Sequence, residues 1–268
     1  MIDRTEGYLR VADGEGIWFE TAGEGPALVL SHGLGGNAAV WFQQLPYFAE
    51  SYRVITWDQR GFGRSSNTAG KHGPDAAVAD LLAILDHLEV ERAALLGQSM
   101  GGWCTLGAAL ADSDRIAAVV LACTTGGIPP VTVPEMDSEL VRAPAGTRPL
   151  GVHPAVGDRL PAIDLGRAYL YQALGTFGQR PSDVEFSRLL HAKTYDPATL
   201  ATMPQPVLML CGELDGLMTP TLVRDAASRL PHATVVEIAG RGHSPYFEDP
   251  DGWNPIVGDF LATHYPNQ

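Results

Sequence analysis

The chain has 268 residues, enough for one large domain or for a core domain carrying an insertion. Apolar residues make up 45% of it and charged residues 18%, a balance that fits a globular protein and argues against a disordered one. The formal net charge of −13 repels phosphate backbones and anionic lipid, so neither nucleic acid nor a membrane is an expected partner. Three cysteines, Cys104, Cys123 and Cys211, do not make a disulfide framework. Cys123 and Cys211 lie in apolar runs and read as buried thiols. The opening MIDRTEGYLR does not resemble a signal peptide, and no apolar run has the length of a membrane span, so a cytoplasmic protein is expected.

In chain order, a first strand is predicted near IWFE (17–20), antiparallel to its neighbours. ALVLSH (27–32), RVITWD (53–58), AALLGQ (93–98), IAAVVLAC (116–123), PVLMLCGE (206–213) and ATVVEIAG (233–240) follow as further strands. Their near-continuous Val, Leu, Ile and Ala content is that of strands buried on both faces. Helices are predicted between them. In residues 74–88, Val78, Leu81, Leu82, Leu85 and Leu88 share one face, and Pro74 suits a first turn. Residues 100–111 and 220–230 are the next two, and 251–265 closes the chain provided Pro255 lies in the first turn. This alternation predicts an α/β fold: a mostly parallel central sheet with helices on both faces. It breaks between about Gly126 and Pro206, where Pro- and Gly-rich stretches precede weaker helical patterns at 164–177 and 182–195. Residues 1–125 and 206–268 are therefore expected to form the core, and 126–205 a helical lid inserted into it.

The strand at 93–98 runs into Gly97-Gln98-Ser99-Met100-Gly101, a G-x-S-x-G pattern with a helix pattern behind it. A strand-to-helix turn this tight strains the backbone at its serine, and the flanking glycines leave out clashing Cβ atoms. Such a turn lifts the hydroxyl off the sheet and aims the N–H groups of the next helix at the same place. Serine is a poor nucleophile at neutral pH and needs a base that is itself oriented by an acid. His243, in the loop AGRGHSPYFEDP after the last strand pattern, is placed to be the base. Asp215, in GELDGLMTP after the preceding strand, is the expected acid, with Glu213 as its nearby competitor.

The order Ser99, Asp215, His243, on alternating strands and helices, resembles a lidded serine member of the α/β-hydrolase superfamily over about residues 15–264. Some relatives carry the acid one strand earlier, but here that strand ends in Ala122-Cys123-Thr124, without a carboxylate. His32-Gly33-Leu34-Gly35-Gly36 resembles the family's oxyanion loop. The resemblance implies that the backbone N–H groups of Leu34 and Met100 hold the developing oxyanion. WDQRGFGRS (57–65) resembles a further family segment, in which Asp58 and Arg60 are expected to fix loops through an ion pair and backbone hydrogen bonds.

The implied chemistry is acyl transfer to water, with no metal and no organic cofactor required. Hydrolysis of a small carboxylic ester or lactone is the leading expectation. Hydrolysis of a C–C bond in a diketone-like ring-cleavage product is the alternative, and such enzymes usually add polar residues for a second carboxylate. Arg142, Arg148, Arg159, Arg167, Arg180 and Arg188 of the insertion are the available cations. A perhydrolase or acyltransferase would use the same residues. A binding protein of the same fold with little turnover is the expectation from a different class. Leu34, Met100, Trp103, Leu217, Met218 and Tyr246, with Tyr169, Tyr171 and Phe177 of the insertion, are the candidate substrate contacts, which implies a largely apolar ester or lactone. Trp103, one helical turn past Ser99, has packing beneath the turn as its other role. The sequence leaves the oligomeric state open.

Overall fold

The computed structural model describes residues 1–129, 149–157, 159–181 and 183–267. Its frame is an eight-stranded sheet in the order β1-β2-β4-β3-β5-β6-β7-β8. The strands are β1 (Arg4–Arg10), β2 (Gly16–Ala22), β3 (Ala27–Ser31), β4 (Arg53–Trp57), β5 (Ala93–Gln98), β6 (Ile116–Ala122), β7 (Val207–Gly212) and β8 (Ala233–Ile238). β2 pairs antiparallel with β1 and with β4, and from β4 to β8 every pairing is parallel. The mostly parallel sheet expected from the sequence is therefore present. Only β1 lacks a predicted counterpart: it is an edge strand whose residues are mostly exposed, so it carries no apolar alternation to read.

Alternate strand residues feed two separate cores. Val29, Leu95, Val119 and Leu121 face one layer, where α2 (Pro74–His87), α3 (Gly101–Ala111) and α8 (Pro220–Ala227) pack. Leu28, Leu30, Leu96 and Val120 face the other, covered by α1 (Gln44–Phe48) and α10 (Pro250–His264). This two-sided burial is why the strands read as unbroken apolar runs. α10 departs from expectation in one respect. It starts at Pro250 on an Asp249 cap, so Pro255 falls inside the helix rather than in its first turn. The helix gives up one N–H there and is held by the burial of Trp253, Val257 and Leu261.

Between β6 and β7 the described residues carry α4 (Leu160–Ile163), α5 (Leu165–Leu174), α6 (Asp183–Ala192) and α7 (Pro197–Leu200). They lie over the C-terminal edge of the sheet. Asn37 Nδ2 donates to the Leu174 carbonyl at 3.0 Å, Gly63 bridges Gln179, and Phe186 meets Phe62 edge-on. Arg142 and Arg148 lie outside the described residues. Among the described residues no helix is long and apolar enough to cross a membrane.

Candidate active site

Ser99 directly follows β5 and has φ +50, in the left-handed region that non-glycine residues seldom adopt. The flanking glycines are required by close approach. A Cβ on Gly97 would collide with the Gly101 carbonyl, and one on Gly101 with the Ser31 carbonyl. The turn is thus pressed between β3 and the first residues of α3, and Ser99 faces the edge where every parallel strand ends.

Asp215 lies three residues past β7 and His243 five past β8, and both are buried. His243 Nδ1 donates to Asp215 Oδ2 at 2.8 Å. The other carboxylate oxygen accepts the N–H groups of Leu217 at 2.8 Å and Met218 at 2.9 Å. The backbone of these two residues therefore holds the acid, while the Met218 side chain packs against the core. The competitor Glu213 is exposed and instead accepts the Gly240 N–H at 2.7 Å.

The loop after β3 lies against the serine turn. A Cβ on Gly33 would stand 3.3 Å from Ser99 Cβ, which puts the next residue, Leu34, at the mouth of the site. His32 braces that loop. Its Nε2 accepts the Gln59 N–H at 3.0 Å, so its Nδ1 carries the proton and donates to Gly33 O at 2.9 Å. Burial lowers its pKa and keeps the imidazole neutral. Asp58 and Arg60 brace the neighbouring segment through separate ion pairs rather than a shared one. Asp58 accepts the Ala38 N–H at 2.7 Å and the Arg64 guanidinium at 2.8 Å. Arg60 grips Asp80 with two nitrogens, at 2.9 and 2.6 Å, and also holds Asp13.

A cleft with about 30 Å³ of open space lies here, too small to enclose a substrate, so it marks a position rather than a capacity. Gly33–Gly36, Val40, Gln98, His153, Tyr171, Gly175, Arg180 and Tyr246 line it. Of the sequence-derived contacts, Leu34, Tyr171 and Tyr246 belong to this lining. Trp103 does not: it packs with Phe62, Met100, Phe186 and Leu190, and its Nε1 donates to Lys193 O. Leu217 and Met218 lie beside Asp215 instead. Of the three aromatics named in the insertion, Tyr171 lines the cleft, while Tyr169 and Phe177 are exposed; two residues along a helix turn by roughly 200°, which parts Tyr169 from Tyr171.

Sequence reasoning gave no site role to Gln98, Ser244 or Cys123, and it named Tyr171 for its ring rather than its hydroxyl. Gln98 Nε2 donates to the His243 carbonyl at 3.0 Å across 145 positions of sequence. Tyr171 and Ser244 share a hydroxyl hydrogen bond of 2.8 Å, and burial pushes the Tyr171 pKa up to about 12. Cys123, also at positive φ, has its thiol grouped with Asp215 and His243, with the three donor atoms within 4.8 Å of one another. Burial, then the Asp215 charge, raises that thiol's pKa well above its ordinary value, so the sulfur stays protonated. Among the described residues this is also the one group of His, Cys, Asp and Glu close enough to hold a metal ion. A wider open depression lies at the opposite edge of the sheet, near Asp86, Glu89, Asp112 and Arg115. It offers acidic groups and a paired arginine, but no nucleophile beside a base.

Comparison with known proteins agrees with this architecture. Residues 28–255 match the model of the "Alpha/beta hydrolase family". A putative carbamate hydrolase RutD of Caulobacter sp. (strain K31) is 30% identical over 262 residues, covering 92% of this chain and 96% of that protein. The 3-oxoadipate enol-lactonase 2 of Acinetobacter baylyi is 28% identical, covering 87% of each chain. Among solved structures, the esterase RhEst1 from Rhodococcus sp. ECU1013 superposes with a TM-score of 0.77 at 26% identity, covering 97% of this chain and 99% of that one. The chain belongs to the alpha/beta hydrolase family.

Proposed function

We propose that the chain is a serine hydrolase that cleaves a small carboxylic ester or lactone through an acyl-enzyme. The observation that carries this reading is the joint placement of Ser99 on its strained turn and the His243–Asp215 hydrogen bond at the same sheet edge. Ser99 Oγ attacks the carbonyl carbon as His243 Nε2 takes its proton. Asp215 holds the ring so that Nε2 is the free base and stabilises the imidazolium that forms. The oxyanion is received by the N–H groups of Leu34 and Met100, the latter at the start of α3, where the helix dipole favours negative charge. His243 then gives its proton to the leaving oxygen. The same histidine draws a proton from water, whose oxygen attacks the acyl-enzyme and releases the acid and Ser99. With a lactone, leaving group and acid stay in one molecule. The activities named for the enol-lactonase and RhEst1 support this class.

One observation favours the second reading, hydrolysis of a C–C bond in a diketone-like product. Arg180 lines the cleft, and its guanidinium carbon stands 3.0 Å from where a Gly35 Cβ would be. A cation against the oxyanion loop suits a substrate that bears a carboxylate.

The test compares wild type with Ser99→Ala on p-nitrophenyl butyrate, on a lactone and on a diketone acid. Loss of about 10³-fold or more in the variant on the first two supports the ester and lactone reading. Serine-dependent turnover confined to the diketone supports the second. Equal rates for both folded proteins on all three would leave a binding role.

A further inference from the structure

We propose that Glu248 is a positioning residue, which holds the peptide of His243 in place and couples it to the segment between β6 and β7. The proposal rests on the reading of His243 as the catalytic base. Glu248 ends the short helix α9 (Pro245–Glu248), and its carboxylate turns back into the protein, where the residue is 8% exposed. Its two oxygens accept the Gly242 N–H at 3.1 and 3.0 Å, and one of them accepts the Ser244 N–H at 3.2 Å. These are the residues on either side of His243. One carboxylate thus fixes backbone N–H groups on both sides of the base.

A further contact comes from outside the loop. Gly157, in the segment between β6 and β7, packs its backbone against the same carboxylate. Gly242 and Gly157 approach so closely that a Cβ on either would force something to shift. A Cβ on Gly242 would stand 2.6 Å from Gly157 N, and one on Gly157 would stand 2.7 Å from Glu248 Oε2. Tyr171 of α5 adds a second link through its hydrogen bond to Ser244. On its other side, the His243 carbonyl is held by Gln98, the residue before Ser99.

A buried carboxylate is costly unless its lone pairs are matched, and here convergent backbone N–H groups match them. Without that anchor, the loop would have to place those N–H groups and the imidazole by itself. Proton transfer depends on sub-ångström placement: a displacement of about 1 Å in a catalytic geometry costs roughly 100-fold in rate. The residue is therefore expected to act on turnover more than on substrate affinity.

The experiment uses Glu248→Gln, which keeps one acceptor oxygen, Glu248→Ala, which keeps none, and Gly157→Ala, which wedges the contact apart with Glu248 intact. Each is measured for thermal unfolding, for kcat and KM on p-nitrophenyl butyrate, and for the far-downfield proton resonance of His243 Nδ1. That resonance is assigned by its loss in Asp215→Ala. The expected result is a folded protein whose kcat falls by about 10- to 100-fold, with KM within about twofold of wild type. The resonance should be broadened or lost, with Glu248→Gln intermediate. Folded Glu248→Gln and Gly157→Ala proteins with an unchanged resonance and kcat within about twofold of wild type would overturn the proposal. If wild type and Ser99→Ala hydrolyse the ester equally, the serine-hydrolase reading fails, and the resonance still decides whether Glu248 positions His243.

Discussion

At the residue scale, some groups around the site are held in one chemical state by their surroundings. His32 is an example outside the proposed chemistry. Its ring donates through Nδ1 and accepts through Nε2, so the folded protein has room for the neutral form only. Burial accordingly depresses its pKa below 6.5. A depressed histidine pKa means that the unfolded chain takes up this proton first. The contribution is neutral above about pH 6.5, and stability falls as pH drops through that value toward the folded pKa. Glu248 and Asp80, whose pKa values burial raises, act in the opposite sense. Only a difference between two proteins isolates the histidine. Unfolding of wild type and His32→Asn, followed by urea titration at pH 7 and pH 5, should show a smaller loss on acidification in the variant. An equal loss would place the titrating group elsewhere. Ser99, Asp215 and His243 were legible because each sits in a short local pattern after a strand. Glu248, Gln98 and Arg180 were not. Their roles are set by the groups they meet: Glu248 accepts N–H groups of its own loop and lies against Gly157, and Gln98 reaches a carbonyl 145 residues away.

At the element scale, the inner strands β3 to β7 were legible nearly to the residue, because two-sided burial writes itself as continuous apolar sequence. β1 was missed for the complementary reason: an exposed edge strand has nothing to bury. The helices between β6 and β7 are short and partly exposed, so their periodicity indicates a helix without saying which face turns inward. That ambiguity separates Tyr169 from Tyr171. α5 owes its start to Asp164, whose carboxylate accepts the Arg167 N–H at 2.9 Å and pairs with the same side chain. An N-cap bond of this kind is local, so its removal should loosen one helix rather than the whole protein. Asp164→Ala is expected to speed amide exchange over residues 165–174, with little change over β5 and β6. Uniformly faster exchange across the sheet would show that α5 and the core open together.

At the scale of the whole molecule, the sheet divides the protein into two cores and gathers the loops that carry chemistry at one edge. The cysteines report on that core. Cys104, Cys123 and Cys211 are all buried free thiols. Burial pushes the Cys104 pKa up to about 12 and that of Cys211 to about 11. Thiolate is the reactive form, so an aromatic disulfide reagent should label none of the three in the native protein. All three should react together at the unfolding transition seen by circular dichroism. Labelling of Cys123 well before that transition would mean that the end of β6 opens by itself.

The sequence alone determined the alternation of strands and helices, the serine turn, and the loops that bear Asp215 and His243. These are local facts, carried by burial and by backbone sterics over a few residues. Only the tertiary structure decided which side chains share the cleft, that Asp58 and Arg60 serve separate ion pairs, and that Gly157 meets Gly242 over Glu248. Contacts of that kind depend on how distant segments converge in space, and single-chain periodicity carries no record of convergence.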